Sequence, residues 1–183
     1  MRLKRPSKRF IFIFTGILGV CLVVFGSGIL YWEKRLSFPT DLYVNKQSVG
    51  SAQFVPQRIR IGSVGIDLPI EEGKIVTGIW QISDKNATYL VGSDVPGRNG
   101  NIIIYGHNKW DIFGKLSMIK EGSVVEISTK GGKEFRYRVS NISVVDPTDI
   151  SVVAPTTYQV LTIYTCTGFL DSKRLVVKAV PLS

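Results

Sequence analysis

Three residues whose side chains can carry out acyl transfer stand at the ends of strand-like runs. His107 is the only histidine among the 183 residues, and it ends the run IIIYGH. Cys166 ends the apolar run LTIYTC, and Arg174 follows eight residues later at the start of another run. A thiolate is a nucleophile whose pKa a nearby cation lowers, an imidazole transfers protons, and a guanidinium stabilises an oxyanion. The three residue types are therefore typical of a cysteine nucleophile site.

Counting the cysteines removes two other roles for Cys166. The chain has two, and Cys21 lies within a long apolar stretch near the N-terminus. The rest of the chain then holds one cysteine, which has no partner for an intramolecular disulfide. One cysteine and one histidine also fall short of the three or four ligands usual for zinc, and we predict no required metal or other cofactor. A buried structural thiol and a nucleophile remain as alternatives.

Side-chain alternation along the strands favours a groove. Successive residues of a strand point to opposite faces, so Cys166 shares a face with Thr162 and Tyr164. In the last run, Arg174 lies opposite the apolar face that Leu175 begins. Both polar groups can thus avoid the most apolar face.

The elements that must position these residues are mostly strands. The pattern predicts two short strands over 58–70, one over 100–107, a hairpin over 123–146 around Gly131-Gly132, and two more over 158–166 and 174–180. Phe113, Leu116 and Ile119 recur at a spacing of three within 110–122, which indicates one or two helical turns. No alternation of strands and helices is visible, so the fold class is all-β, a closed barrel or a sandwich with one or two short helices.

The N-terminal part of the chain is organised differently. Residues 1–9 carry five positive charges and no negative one, and residues 10–31 carry no charge. About 21 helical residues cross a bilayer core of about 30 Å. We predict a cytoplasmic basic tail over 1–9, a single-pass transmembrane signal anchor over 10–32, a stalk or linker over 33–56, and an extracellular catalytic domain over 57–183. A cleaved signal peptide is the alternative, although its apolar core is usually shorter.

The charge does not indicate a nucleic-acid partner. Subtracting the five charges of the basic tail from the formal net charge of +9 leaves about +4 for the remaining residues. The remaining lysines and arginines are scattered among acidic residues without aromatic interleaving. We predict no DNA or RNA partner.

The order of the motifs resembles that of the sortases, the membrane-anchored cysteine transpeptidases of Gram-positive surfaces. TIYTC (162–166) followed by Arg174 is similar to their T-L-x-T-C…R signature, and PGRNGNIIIYGHN (96–108) to their P-G…G-N…G-H stretch. Three further segments resemble the family in the same order: IGSVGIDLPIEEG (61–73), IFGKLSMIKEGSVVEI (112–127) and VVDPTDISVVAPT (144–156). The resemblance covers about residues 57–181.

The resemblance implies a closed eight-stranded sortase-type β-barrel with Cys166 as nucleophile, His107 as general acid and base, and Arg174 as the substrate and oxyanion group. Cys166 would cleave an LPXTG-like sorting signal of a surface protein and pass the chain to an amine of a peptidoglycan precursor or a pilin. Thr165, Asn108 and Tyr105 are further candidates for the substrate or oxyanion site.

Departures from the family pattern concern specificity. Ile163 replaces the usual Leu, Ser123 stands where Asp is common, and the loop from Cys166 to Arg174 is short. The compact region 146–159 and the lack of a C-terminal extension look most like class D or E.

Two other functions stay open at this point. A thiol endopeptidase would give the acyl-enzyme to water, and a surface binding module would keep the barrel without turnover. The L,D-transpeptidases, which also use a cysteine, are disfavoured because YT rather than S-H-G precedes Cys166.

Overall fold

A computed structural model of the chain describes residues 16–24, 52–76 and 79–182. The chain divides into two compact units, Met1–Ser37 and Phe38–Ser183. In the first unit, residues 16–24 are α-helical. Among the described residues, no helix has the length and apolar character needed to cross a membrane. The predicted tail 1–9, the rest of the predicted anchor 10–32, and residues 33–51 of the predicted stalk lie outside the described residues.

The second unit is built mainly from strands. Its described residues form ten strands: β1 (Pro56–Ile61), β2 (Ile66–Gly73), β3 (Ile75–Val76), β4 (Ile79–Trp80), β5 (Ala87–Leu90), β6 (Gly100–Gly106), β7 (Val124–Thr129), β8 (Glu134–Val145), β9 (Gln159–Thr167) and β10 (Lys173–Pro181). The same residues also form five 3₁₀ helices: η1 (Ala52–Phe54), η2 (Gly62–Val64), η3 (Gly114–Met118), η4 (Ile150–Val153) and η5 (Phe169–Asp171).

Eight of these strands close into a barrel in the order β1-β2-β5-β6-β9-β10-β8-β7. The β2–β5 and β6–β9 pairs are parallel, whereas the other pairs are antiparallel. Strands β3 and β4 form a separate two-stranded sheet in which Ile75 faces Trp80. The prediction of a closed eight-stranded barrel is confirmed. The β3–β4 hairpin and strand β5 were not predicted, because their runs are too short for a clear period.

Alternation of side chains explains which strands are buried on one face and which on both. In β7, buried residues alternate with half-buried ones, as expected for a strand with one core face. All of β6 and most of β9 are buried on both faces. Strands β6 and β9 therefore lie between the barrel interior and a second apolar layer outside it.

The barrel interior and the outer layer are two separate clusters. The interior holds buried side chains from every barrel strand and from the segment around η3, among them Ile59, Ile102, Phe113, Ile127, Tyr137, Leu161 and Val177. The outer cluster holds Leu90, Ile103, Tyr105, Val152, Val153, Tyr164 and Val176, with Ile75, Trp80 and Val145 packed at its margin. The outer cluster is covered by the β3–β4 hairpin and by η4.

The predicted hairpin and helix are both present. Strands β7 and β8 pair in register and turn at Gly131-Gly132, where Gly132 has a φ of 76° and donates its N–H to the carbonyl of Thr129. The helical turns predicted for 110–122 form the 3₁₀ helix η3. One or two helices were predicted, but the described residues contain five 3₁₀ segments of three to five residues, which are too short to show a period. Phe54 and Val55, just before β1, already pack against the barrel interior.

Phe113 should contribute more to stability than its neighbour Trp110. Phe113 is fully buried. Its ring packs directly against Gly106 at the end of β6, so closely that a Cβ atom at position 106 would lie 2.9 Å from Cδ2 of Phe113. We expect Phe113→Ala to lower the free energy of unfolding by about 3–5 kcal/mol, because it leaves a cavity. Trp110→Ala, at a position 67% exposed, should cost less than about 1 kcal/mol. Denaturant unfolding of both variants measures the difference, and equal losses would contradict this packing.

Candidate active site

Two strand pairings bring the three predicted residues to one edge of the barrel. In the antiparallel β9–β10 pair, Cys166 lies directly opposite Arg174. In the parallel β6–β9 pair, Gly106 lies opposite Thr165, so the next residue, His107, follows beside Cys166. Neighbouring strands are about 4.8 Å apart, so the backbone positions of His107 and Arg174 lie on either side of that of Cys166. The structure therefore brings His107, Cys166 and Arg174 together.

The site opens on the outer face of the barrel. Leu161 and Ile163 belong to the interior, whereas Tyr164 belongs to the outer cluster, and alternation puts Cys166 on the same side as Tyr164. Tyr105, the β6 partner of Tyr164, also lies in the outer cluster. The site thus lies at the end of this face, directly after the paired rings of Tyr105 and Tyr164.

Cys166 is a half-buried free thiol. Burial raises its pKa above the ordinary value of a cysteine, the Arg174 cation opposes that rise, and the Asp171 carboxylate adds to it. The resting thiol is therefore protonated at neutral pH. A nucleophile here must lose its proton to a nearby base or react from a minor ionised population.

Arg174 is held rigidly although it is charged. Arg174 is only 4% exposed, and its Nη1 donates hydrogen bonds to the carbonyl oxygens of Asp171 at 2.7 Å and Lys173 at 2.9 Å. Burial raises the pKa of the Tyr164 hydroxyl, whereas the charge of Arg174 and a hydrogen bond with it lower that pKa. The guanidinium is therefore fixed between its own loop and the ring beneath it.

His107 is more open to solvent. Its Nε2 lies 3.7 Å from Oδ1 of Asp84, in the segment that follows β4, and the histidine side chain is 34% exposed. Lys109 approaches the same carboxylate oxygen at 4.0 Å and donates from Nζ to the Asp84 carbonyl at 3.2 Å. These contacts join the segment after β4 to the end of β6.

The three secondary candidates occupy different places. Thr165 is buried, and its hydroxyl donates to the carbonyl oxygen of Gly106 at 2.8 Å, which joins the ends of β9 and β6. Tyr105 is buried in the floor of the outer cluster, where burial raises the pKa of its hydroxyl, which donates to the Gln81 carbonyl. Asn108 is exposed directly after His107. Of the three, Asn108 is the one open to solvent at the site.

Two elements that the sequence analysis missed flank the face leading to Cys166. On one side, the Trp80 ring packs edge-on against Tyr105 with 4.8 Å between centroids, and it stacks near Tyr164 with 6.2 Å between centroids. On the other side, Val152 and Val153 of η4 cover the same cluster. The sequence feature that could have indicated the β3–β4 hairpin was Trp80, a lone tryptophan in the polar stretch GIWQISDKNATY. The β3–β4 hairpin and η4 thus both pack on the aromatic and aliphatic cluster that lies beside the thiol.

The arrangement suits acyl transfer to and from a thiol. It combines a nucleophile, a proton carrier and a cation that backbone carbonyls hold in place. Among the residues that the structure describes, no group of three or more His, Cys, Asp or Glu side chains is arranged to hold a metal ion.

Solved structures of several sortases resemble this chain. Sortase C-1 from Actinomyces oris is 26% identical, with a TM-score of 0.60 over 69% of this chain and 72% of that one. Sortase A from Corynebacterium diphtheriae is 26% identical, with a TM-score of 0.61 over 88% and 83%. The sortase D5 transpeptidase of Clostridium perfringens is 27% identical, with a TM-score of 0.59 over 69% and 78%. Because these proteins are named as sortases C, A and D, the similarity does not single out a class.

Among curated proteins, no significant match to this chain was found. The family model described as the Sortase domain matches residues 59–182, which include β6, β9, β10 and all three predicted catalytic residues. The resemblance seen in the sequence motifs is thereby confirmed. The chain belongs to the sortase family, whose members are cysteine transpeptidases.

Proposed function

We propose that this chain is a transpeptidase that cleaves an LPXTG-like sorting signal and transfers the severed protein to an amine. The observation that carries the proposal is the pairing of Cys166 opposite Arg174, with His107 beside it at the end of the parallel strand. The sortase family acts on the sorting signals of surface proteins and on pilins. The expected acceptors are an amine of the cell wall and an amine of another protein.

The geometry supports a role for each residue in the first half of the reaction. The Cys166 thiolate attacks the carbonyl carbon of the Thr–Gly bond, and the carbonyl oxygen becomes an oxyanion. The Arg174 guanidinium stabilises that charge, at no cost of reorientation because its own loop already holds it. The His107 imidazolium protonates the glycine nitrogen as the C–N bond breaks. The products are a thioacyl-enzyme and a free C-terminal fragment.

The second half reverses the proton transfer. The neutral His107 accepts a proton from the incoming amine while that amine attacks the thioester carbon. The C–S bond then breaks, and Cys166 leaves as a thiolate. Thr165 supports both halves indirectly, because its bond to Gly106 holds the ends of the two strands that carry His107 and Cys166.

Location is a further part of the proposal. We place residues 10–32 in the cell membrane as a single-pass anchor, with the N-terminus cytoplasmic and the barrel outside. The charge-free residues 10–31 after five basic residues support it. In that position the barrel would meet surface proteins as they are exported.

Replacement of Cys166 should abolish acyl transfer without unfolding the barrel. We expect the full-length chain, incubated with a library of LPXTG-type peptides and an amine acceptor, to form ligated product and a thioacyl adduct on Cys166. Cys166→Ala should lower the rate by about 10³-fold or more, since the nucleophile is lost. Mass spectrometry detects both adduct and product. Hydrolysis that no acceptor diverts would indicate an endopeptidase, and equal behaviour of the two chains would indicate a binding module.

The charges around Cys166 should set the pH at which it reacts. Because the Arg174 cation stabilises the thiolate, Arg174→Gln should raise the pKa of Cys166, and Asp171→Asn should lower it by removing an opposing anion. The rate of alkylation by iodoacetamide, measured against pH, reports the thiolate population. The wild-type profile should rise through a pKa above the ordinary value of about 8.5. A profile unchanged in both variants would show that neither charge acts on the thiol.

A further inference from the structure

The loop between β8 and β9 is joined to the barrel wall by one buried side chain. Asn101 of β6 is only 2% exposed, and its Nδ2 donates to the carbonyl oxygens of Ala154 at 2.9 Å and Val152 at 3.4 Å. Those carbonyls stand at the C-terminal end of the 3₁₀ helix η4, where backbone acceptors have no partner within the helix. Asn101 therefore caps η4 from the sheet.

The acceptor side of the same amide is also used. The hydroxyl of Thr162 on β9, which is fully buried, donates to Oδ1 of Asn101 at 2.7 Å. Asn101 and Thr162 are diagonal neighbours on the outer face, because Asn101 pairs with Val160 and Thr162 pairs with Ile103. Because this bond occupies the amide oxygen, it orients the side chain so that Nδ2 points to the η4 carbonyls.

The other end of η4 is held by its own loop. The carboxylate of Asp149 accepts hydrogen bonds from the backbone N–H of Ser151 at 3.1 Å and from its hydroxyl at 2.6 Å. With both ends held, Val152 and Val153 rest on the outer cluster that also contains Tyr105 and Tyr164. Tyr105 precedes His107 by two residues and Tyr164 precedes Cys166 by two, so η4 packs on the face that leads to the site.

We infer that Asn101 is a positioning residue that holds η4 in place as a preformed wall of the peptide-binding surface beside Cys166. The inference rests on the proposed function for the identity of the peptide. If the loop is ordered in only a fraction of the molecules, the apparent peptide affinity is the intrinsic affinity multiplied by that fraction. The buried hydrogen bonds of Asn101 keep that fraction high before binding. Asn101 does not touch the reacting atoms, so it should act on peptide affinity and leave the chemical step unchanged.

The direct test measures the loop and the kinetics in the same variants of the full-length chain. Asn101→Ala removes both donors and the acceptor, whereas Thr162→Val removes only the bond that orients the amide. Thr129→Val is the matched control, because Thr129 is 1% exposed and its hydroxyl donates to the Lys133 carbonyl at 3.2 Å in the β7–β8 turn. All three variants lose hydrogen bonds of buried side chains, but only Asn101 bonds to the η4 segment, and only Thr162 bonds to Asn101.

We expect backbone amides of residues 147–157 to exchange with deuterium about tenfold faster or more in Asn101→Ala, a change of about 1.4 kcal/mol. Thr162→Val should show a smaller increase and Thr129→Val none. With the library peptide that labels Cys166 best, KM should rise by a similar factor in Asn101→Ala while kcat stays within about twofold. Alkylation of Cys166 by iodoacetamide, which does not depend on peptide binding, should be the same in all four chains.

Two results would overturn the inference. If exchange over 147–157 in Asn101→Ala equals that of the wild type, Asn101 does not hold the loop. If exchange accelerates but kcat falls at unchanged KM, the loop is not a wall for the peptide. A wild-type chain that reacts with iodoacetamide yet forms no thioacyl adduct with any peptide would instead overturn the proposed function, and the exchange rates would still decide whether Asn101 holds η4.

Discussion

The parallel pairing of β6 with β9 is the constraint on which the rest of the site depends. Seven consecutive residue pairs, from Gly100 opposite Gln159 to Gly106 opposite Thr165, set the level at which both strands end. A shift of one residue would move Cys166 to the other face of the sheet. Parallel strands need a long connection, and residues 107–158, which include β7 and β8, provide it.

Because β6 and β9 are buried on both faces, their outer side requires a cover. The interior face is filled by the barrel core, whereas the outer face carries Tyr105 and Tyr164 and would otherwise expose aromatic surface. The β3–β4 hairpin contributes Trp80 and η4 contributes two valines to that cover. The requirement to bury this face thus also places the hairpin and η4 beside the strand ends that carry His107 and Cys166.

The sequence predicts the parts of this arrangement that depend on period and motif. Alternation and turn residues were sufficient for most barrel strands, and motif order indicated His107, Cys166 and Arg174. Trp80, Asp84 and Asn101 were missed for physical reasons. The β3 and β4 strands have two residues each, and the contact between His107 and Asp84 joins loops that no local pattern relates. Asn101 stood within a recognised motif, but its partners lie 51 to 61 residues away, so its role required the fold.

The short loop between Cys166 and Arg174, seen first as a departure from the family pattern, explains how the guanidinium is held. Leu170 and Asp171 adopt left-handed backbone conformations with φ of 50° and 56°, which cost of order 1 kcal/mol each for residues with side chains. This backbone turns the Asp171 carbonyl oxygen toward Arg174, which donates to it at 2.7 Å. A buried cation without hydrogen-bond acceptors costs much free energy. These carbonyl oxygens accept its hydrogen bonds without neutralising its charge. The full positive charge therefore stays available opposite the thiol, where an anion must form. The backbone strain at Leu170 and Asp171 is thus offset by the hydrogen bond between Arg174 and the Asp171 carbonyl, which holds the guanidinium in place.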